Sequence, residues 1–301
     1  MSQDNVLRIG VASSALFNLS LPNDVFEEEG EEAYREYQLE HQDIPLELGL
    51  AYSFVKKALS LNSLSDSDAP LVEVILLSRN CPITGLRAMN TIEQMNLPIR
   101  RAIFLQGRSP WPYLGGLDID LFLSSNFEDV KNAIEAGYPA GHVLGGNSVD
   151  ESKTLDIAFD FDSVISTDSS ERIYKEGGLQ KFIEHEVKHA DQALAPGPMA
   201  RFIKKLSYIQ KQEDLFRPSD STEPRMLNIS IITARGAPTH KRVIATLQEM
   251  EVNVNAAFFM AGTNKKIILD TLKPTMFLDD QLLHLDNDHT CVHVPFGIRN
   301  K

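Results

Sequence analysis

The stretch "DIAFDFDSVIS", residues 156–166, decides how this chain is read. Ile157, Ala158 and Phe159 make a short apolar run that suits a buried strand. Asp160 and Asp162 follow where that strand should leave the core. Carboxylates set so close repel strongly unless a cation lies between them, so their placement asks for a chemical reason.

Similar apolar runs recur along the chain: "LRIGVA" (7–12), "VEVILLS" (72–78), "RRAIFLQG" (100–107), "DLFLSS" (120–125), "LNISIIT" (227–233), "NAAFFMAG" (255–262) and "TMFLDD" (275–280). Helical patterns separate them, and that alternation predicts βαβ units around a parallel sheet, an α/β chain of Rossmann-like build. "PNDVFEEEGEEAY" (22–34) and "QEDLFRPSDSTEPR" (212–225) read as exposed connections, and "GGNSVDESK" (145–153) as the boundary between halves 1–150 and 151–301.

Bulk composition narrows the function classes. Lys and Arg number 29 against 42 Asp and Glu, a net charge of −13, which lacks the basic footprint of a nucleic-acid-polymer or membrane-surface binder. Two cysteines, Cys81 and Cys291, give no disulfide framework and fit a reducing compartment. The opening "MSQDNVLRIGV" has no basic segment followed by an apolar one, and no apolar run approaches the roughly 18 residues of a membrane span. The expectation is a cytoplasmic protein.

The two halves align with each other. A shift of 155 sets residues 74–125 on 229–280 without a gap, with "FLQG" on "FMAG" and "FLSS" on "FLDD". A shift of 148 sets 34–61 on 182–209, placing His41 on His189 and Gly49 on Gly197, and brings "RIGVASSALF" onto "DIAFDFDSVI". An internal duplication is expected. Its copies differ where charge would matter: Asp160 and Asp162 stand over Ala12 and Ser14, Asp279 and Asp280 over Ser124 and Ser125, and Lys265 over Pro110. The first half reads as a degenerate copy. Ser13, Ser14, Ser78, Ser124 and Ser125 either cap its strand ends or line a metal-free anion pocket.

In the second half, four groups fall at the carboxyl ends of strands or just beyond, where open α/β sheets bind ligands. They are Asp160 with Asp162, Thr233 with Arg235, Lys265 with Lys266, and Asp279 with Asp280. Such carboxylates suit a hard divalent ion such as Mg²⁺. The threonine hydroxyl and the ammonium suit a phosphoryl group.

The order Asp-x-Asp, Thr, Lys, Asp-Asp resembles the haloacid dehalogenase-type phosphohydrolases. "VASSALFNL", "FDFDSVISTDSSERIYKEGGL", "FIEHEVKHADQALAPGP", "ITARGA", "FMAGTNKKIILDTLKPTMFLDDQLLH" and "VHVPFGI" resemble the cytosolic 5′-nucleotidase type I family over most of the chain. The resemblance implies a haloacid dehalogenase-type sheet with a helical cap at about 167–226. It also implies Mg²⁺-dependent hydrolysis of nucleoside 5′-monophosphates, AMP favoured, through an aspartyl-phosphate. On matching positions it makes Asp160 the nucleophile and Asp162 the acid and base. Thr233 becomes the phosphate holder and Lys265 the charge neutraliser, with Lys266 as the alternative. Asp279 and Asp280 complete the metal set with Asp160 and the Asp162 backbone.

Phe161 and "TNKK" depart from the family pattern, where a small residue and Pro-Lys-Gly are expected. Arg235, Phe161, Phe182 and Phe202 are candidates for contact with substrate. "HEVKH" (185–189) matches a zinc-protease pattern, but Lys188 within it and the lack of a third-ligand motif argue against zinc. Another phosphomonoester, phosphotransfer, or a nucleotide-binding regulator stay open as alternatives. So do a nucleotide effector and a homo-oligomer as partners.

Overall fold

The computed structural model describes residues 5–65, 69–145, 152–218, 221–285 and 290–300. Ten strands form one sheet: β1 (Leu7–Ala12), β2 (Val72–Ser78), β3 (Arg101–Phe104), β4 (Leu121–Ser124), β5 (Ala140–Val143), β6 (Leu155–Phe159), β7 (Leu227–Thr233), β8 (Ala256–Phe259), β9 (Met276–Asp279) and β10 (Cys291–His293). All the apolar runs named above lie in strands. β5 and β10 escape a pattern search because "AGHV" and "CVH" are too short to show a period.

The sheet order is β8-β7-β6-β9-β10-β5-β4-β1-β2-β3. Neighbours are parallel except at the middle, where β10 and β5 pair antiparallel with Val292 on Val143 and His293 on His142. Read outward from that junction, β5-β4-β1-β2-β3 and β10-β9-β6-β7-β8 follow the same order, each strand matching the one five places later. This is the expected α/β fold, with a mostly parallel sheet. The halves share a sheet and one continuous hydrophobic core, which includes Ile9, Leu76, Phe122, Ile157, Ile229 and Leu278. Strands flanked on both sides are nearly all apolar, whereas β3 and β8 at the edges are half-exposed.

Besides a single turn at Ser13–Leu16, the helices are α1 (Ser20–Glu29), α2 (Glu31–Glu40), α3 (Tyr52–Ser60), α4 (Leu86–Gln94), α5 (Phe127–Glu135), α6 (Ser169–Lys188), α7 (Ala200–Phe216), α8 (His240–Glu249) and α9 (Lys266–Leu272). The acidic stretch 22–34, expected as a connection, instead forms α1 and the start of α2. Gly30, at φ +91°, makes the break between them. The expected boundary at 145–153 falls mostly on 146–151, outside the described residues.

The span 167–226 divides in two. α6, kinked at Gly178, stands over the carboxyl ends of β6 and β7. α7 packs on the sheet, burying Phe202, Ile203, Leu206 and Ile209. The span 167–226, expected as a single cap, is therefore two differently placed helices, of which α6 alone stands over the strand ends. Gly197, in the turn between the helices, lies against the loop that follows Asp162. A Cβ there would sit 2.3 Å from the Ser166 carbonyl oxygen, and one at Gly49 would sit 2.6 Å from that of Ala15. Both turns need glycine for the same close approach.

Candidate active site

β6 delivers Asp160 at its carboxyl end, where the Asp160 amide donates to the Leu278 carbonyl at 2.8 Å. Ser163, at φ +61°, turns the chain, and the amides of Ile165 and Ser166 donate back to the Phe161 carbonyl, both at 3.0 Å. This tight loop holds Asp160 and Asp162 at the mouth of the sheet. β9, next to β6, ends in Asp279 with Asp280 directly after it, and β7, on the other side of β6, ends in Thr233.

Lys265, just before α9, is buried, and its Nζ lies 2.6 Å from Asp279 Oδ2 and 2.9 Å from Asp160 Oδ1. Lys266 points away and pairs with Asp270 at 3.5 Å. Of the two lysines in "TNKK", Lys265 is therefore the one brought to the carboxylates. Burial alone would lower its pKa, but Asp160 and Asp279 hold it well above the ordinary range.

Asp160, Asp279 and Asp280 each present a ligand oxygen within 4.8 Å of the others, all buried. Burial pushes Asp160 up to about 7, with Asp279 and Asp162 adding to the shift and Lys265 opposing it. Burial pushes Asp280 up to about 9, reinforced by Asp160, Glu171 and Asp279. Asp279 lies below its ordinary value because Lys265 and His284, its Nδ1 3.0 Å away, outweigh burial. Both carboxylate oxygens of Asp280 are buried without a partner among the described residues. Its backbone carbonyl, by contrast, accepts from Asn300 Nδ2 at 2.9 Å and lies 3.1 Å from His293 Nε2. With all three ionised, the carboxylates exceed the one ammonium by two negative charges, and the Asp280 oxygens have no partner to offset theirs. A divalent, oxygen-seeking cation fits this set.

Asp162 lies half-buried beside the trio, gripped by Arg235: Nε donates to Oδ2 at 2.8 Å and Nη2 to Oδ1 at 2.7 Å. Arg235 itself is buried between the rings of Phe161 and Phe182, each 5.4 Å from its Cζ. Asp162, and after it Glu186, raise the Arg235 pKa despite burial.

A cavity of about 460 Å³ opens over Asp160, Asp162 and Thr233, within the roughly 300–1,000 Å³ usual for small-molecule sites. Tyr174, Leu179, Phe182 and Ile183 of α6 wall it opposite the carboxylates, and Arg299 with Glu171 stands at the side. A larger groove of about 730 Å³ lies between α7 and the loop 114–119. None of the strand-end carboxylates lines it, so the chemistry belongs to the smaller cavity.

The expected residues thus separate. Asp160, Asp162, Thr233, Arg235 and Phe182 line the cavity. Lys265, Asp279 and Asp280 sit against Asp160 beneath it. Phe161 is fully buried under Arg235. Phe202 is misassigned as a substrate contact, because α7 turns it into the core against Phe159 at 5.8 Å. The rings of His185 and His189 lie 4.2 Å apart, tilted by 34°, and among the described residues no third ligand completes a zinc set with them. The first-half serines largely satisfy one another and the backbone: Ser13 and Ser78 hydroxyls are 3.0 Å apart, Ser125 donates to the Ser14 carbonyl at 3.0 Å, and Ser124 accepts from the Asn126 amide at 3.0 Å. That favours the capping role over an anion pocket.

Tyr174, Glu171, His284, Arg299 and Arg242 were not singled out from sequence. Glu186 entered only as part of "HEVKH", a zinc pattern that the sequence itself argued against. A signal for it existed in the alignment of halves, where Arg242 falls on Arg87 and Glu186 on Gln38.

Among the described residues neither Cys81 nor Cys291 is in a disulfide, and no helix is long and apolar enough to cross a membrane. No solved structure matches the chain. It is 30% identical over 289 residues to human cytosolic 5′-nucleotidase 1B, covering 94% of this chain and 47% of that protein. The chain thus spans about half the length of this curated relative. A family model described as 5′-nucleotidase matches residues 1–301, so this chain, with its strand-end carboxylates and buried lysine, belongs to the 5′-nucleotidase family.

Proposed function

We propose that this protein hydrolyses nucleoside 5′-monophosphates to nucleoside and phosphate with a bound divalent cation, Mg²⁺ by its all-oxygen donors. The observation that carries the reading is the charge balance beneath the cavity. Three buried carboxylates face one lysine, with the Asp280 oxygens unpartnered.

Asp160 and Asp280, with Asp279 beside them, would hold the cation, and a bound cation would neutralise these carboxylates and the substrate's phosphoryl oxygens. Asp160 is the nucleophile: its Oδ forms a bond to phosphorus as the bond from phosphorus to the ribose O5′ breaks. Asp162 enters the step protonated on one oxygen, the other still accepting from Arg235, and gives that proton to O5′, so the nucleoside leaves neutral. Water then attacks the aspartyl-phosphate, Asp162 takes a proton from it, and Asp160 is released with inorganic phosphate. Thr233 supplies a hydroxyl for a phosphoryl oxygen. Lys265 offsets charge on Asp160 and on the phosphate as the bond forms.

Phe182 and Tyr174, ring centroids 6.2 Å apart, offer an apolar wall for the base. The human relative's name is that of a cytosolic 5′-nucleotidase, which supports a monophosphate as substrate; AMP is the first to test. The repeated strand order supports reading the first half as a duplicate that carries no such chemistry.

Phosphate release from a panel of nucleoside monophosphates, with Mg²⁺ or with chelator, tests this. Metal-dependent release from at least one is expected. No release from any of them would overturn the reading.

A further inference from the structure

Glu186 is a carboxylate on α6 that faces inward, 1% exposed. Arg235 Nη1 donates to its Oε2, and Arg242 Nη1 donates to Oε1 at 2.8 Å. Ser170 Oγ adds a donor to Oε1 at 3.0 Å, and His185 Nδ1 lies 3.1 Å from it. A carboxylate so far from water survives as an anion only with this much compensation. The same Arg235 grips Asp162 with its Nε and Nη2. One chain of contacts therefore runs from the cap helix, through Glu186 and Arg235, to Asp162.

The first half contains the same scaffold without the charges. Gln38 stands where Glu186 does, and its Oε1 accepts from Arg87 Nη1 at 3.4 Å. Arg87 Nε donates to the Ile44 carbonyl at 2.9 Å, as Arg242 Nε does to the Gln192 carbonyl at 2.9 Å. Thr91 Oγ1 accepts from the Leu46 amide at 3.0 Å, as Thr246 Oγ1 does from the Leu194 amide at 3.0 Å. A neutral amide thus suffices to dock the helix on the helical arginine. Beyond it, Asn80 stands in place of Arg235 and Ser14 in place of Asp162. The three charges are absent together.

We propose that Glu186 is a positioning residue for proton transfer, holding the Arg235 guanidinium so that its Nε and Nη2 hold the Asp162 side chain beside the substrate. Its negative charge serves Arg235, and the docking of α6 does not need it. The planar fork of Arg235 makes the transmission geometric: with one arm tied to Glu186, the remaining two face Asp162 in a fixed plane. The alignment of Asp162 then depends on the cap helix being in place. This inference rests on the reading of Asp162 as the acid and base.

The test compares wild type, Asp162→Asn, Glu186→Gln, Arg235→Asn and the double variant Glu186→Gln/Arg235→Asn in steady-state hydrolysis of a nucleoside monophosphate with Mg²⁺, alongside thermal melting. Glu186→Gln should melt as a folded protein and lose about tenfold or more in kcat, a share of the roughly 10²–10⁴ that proton transfer supplies. Its KM should stay within about threefold, since a purely positioning group acts on the transition state. In the Arg235→Asn background the same change should cost less than about twofold, because its route to Asp162 is already cut. If Glu186→Gln alone does not fold, the double variant, which copies the neutral Gln38 and Asn80, is compared with Arg235→Asn, and equal kcat is expected.

A kcat for folded Glu186→Gln within about twofold of wild type, or an effect as large with Arg235 as without it, would overturn the inference alone. So would a double variant clearly slower than Arg235→Asn. A wild type inactive on every monophosphate, or an Asp162→Asn variant of undiminished kcat, would instead remove the reading beneath it.

Discussion

Lys265 Nζ lies 2.9 Å from Asp160 Oδ1, both groups almost wholly buried. The contact keeps the proposed nucleophile from being an isolated buried anion, yet Asp160 is still pushed up to about 7. One lysine, also shared with Asp279, does not balance the site.

Asp160→Asn should abolish phosphate release, since an amide is not a competent nucleophile here. It should also raise the melting temperature of the metal-free protein, because it removes one member of a repelling trio. Melting curves in chelator, set beside activity assays, check both. A lower metal-free melting temperature would count against the repulsion described.

Lys265→Met should lower kcat by about 10²–10³, the scale of losing one group aimed at developing charge. Cation affinity should rise, because the carboxylates then lack their competing ammonium. A Mg²⁺ titration followed by thermal shift separates this outcome from general damage, which would weaken both.

Metal-free stability should fall as pH rises from the ordinary carboxylate range, about 4, to about 9. The folded pKa values of Asp160 and Asp280 lie above the ordinary carboxylate value, so protonation of these groups favours the folded state. Their contribution is complete below the unfolded pKa and is lost as pH rises through about 7 and about 9. Saturating Mg²⁺ should remove most of the decline, and its apparent affinity should increase across the same interval because binding displaces protons. Melting temperatures in chelator and in Mg²⁺ across this range test both signs.

Phe182→Ala should raise KM for a nucleoside monophosphate about tenfold, from a base–aromatic contact worth roughly 1–3 kcal/mol. A small alkyl phosphate, which has no base, should lose far less. Steady-state kinetics on the pair of substrates distinguishes a lost stacking wall from a disturbed Arg235, which would slow both.

Gly197→Ala should destabilise the protein by about 1–3 kcal/mol, since a Cβ would press on the Ser166 carbonyl and the backbone must move. Denaturant unfolding measures it. The displaced loop carries Asp162, so kcat should fall as well.

The residues that bind charge were largely legible in sequence because strand ends concentrate them. Asp160, Thr233, Asp279 and Asp280 each terminate or directly follow an apolar run, and a parallel sheet must bring such ends to one rim. Lys265 could not be told from Lys266 by pattern; the start of α9 buries one and exposes the other. Phe202 misled because an aromatic at helical spacing reads alike whether its helix covers a cavity or packs on a sheet. Glu186 was hidden behind a familiar zinc pattern, although a local motif says nothing of partners that come from Arg235 and Arg242, dozens of residues away. β5 and β10 were unreadable for a simpler reason: three or four residues cannot display a period, so the way the halves join was invisible.

That junction has a consequence for whether the halves can be parted. Ser124, His142, His293 and Asp279 occupy a single rung across β4, β5, β10 and β9. His293 also lies beside the carbonyl of Asp280 and stacks parallel to Phe127 of the other half, centroids 6.1 Å apart. A fragment holding every charged group of the cavity, residues 152–301, would expose β10 as a three-residue edge strand and strip Phe127 from His293. The half without the strand-end carboxylates is then a fixed jig against which the rim bearing Asp279 and Asp280 is set, and it cannot be discarded as a relic.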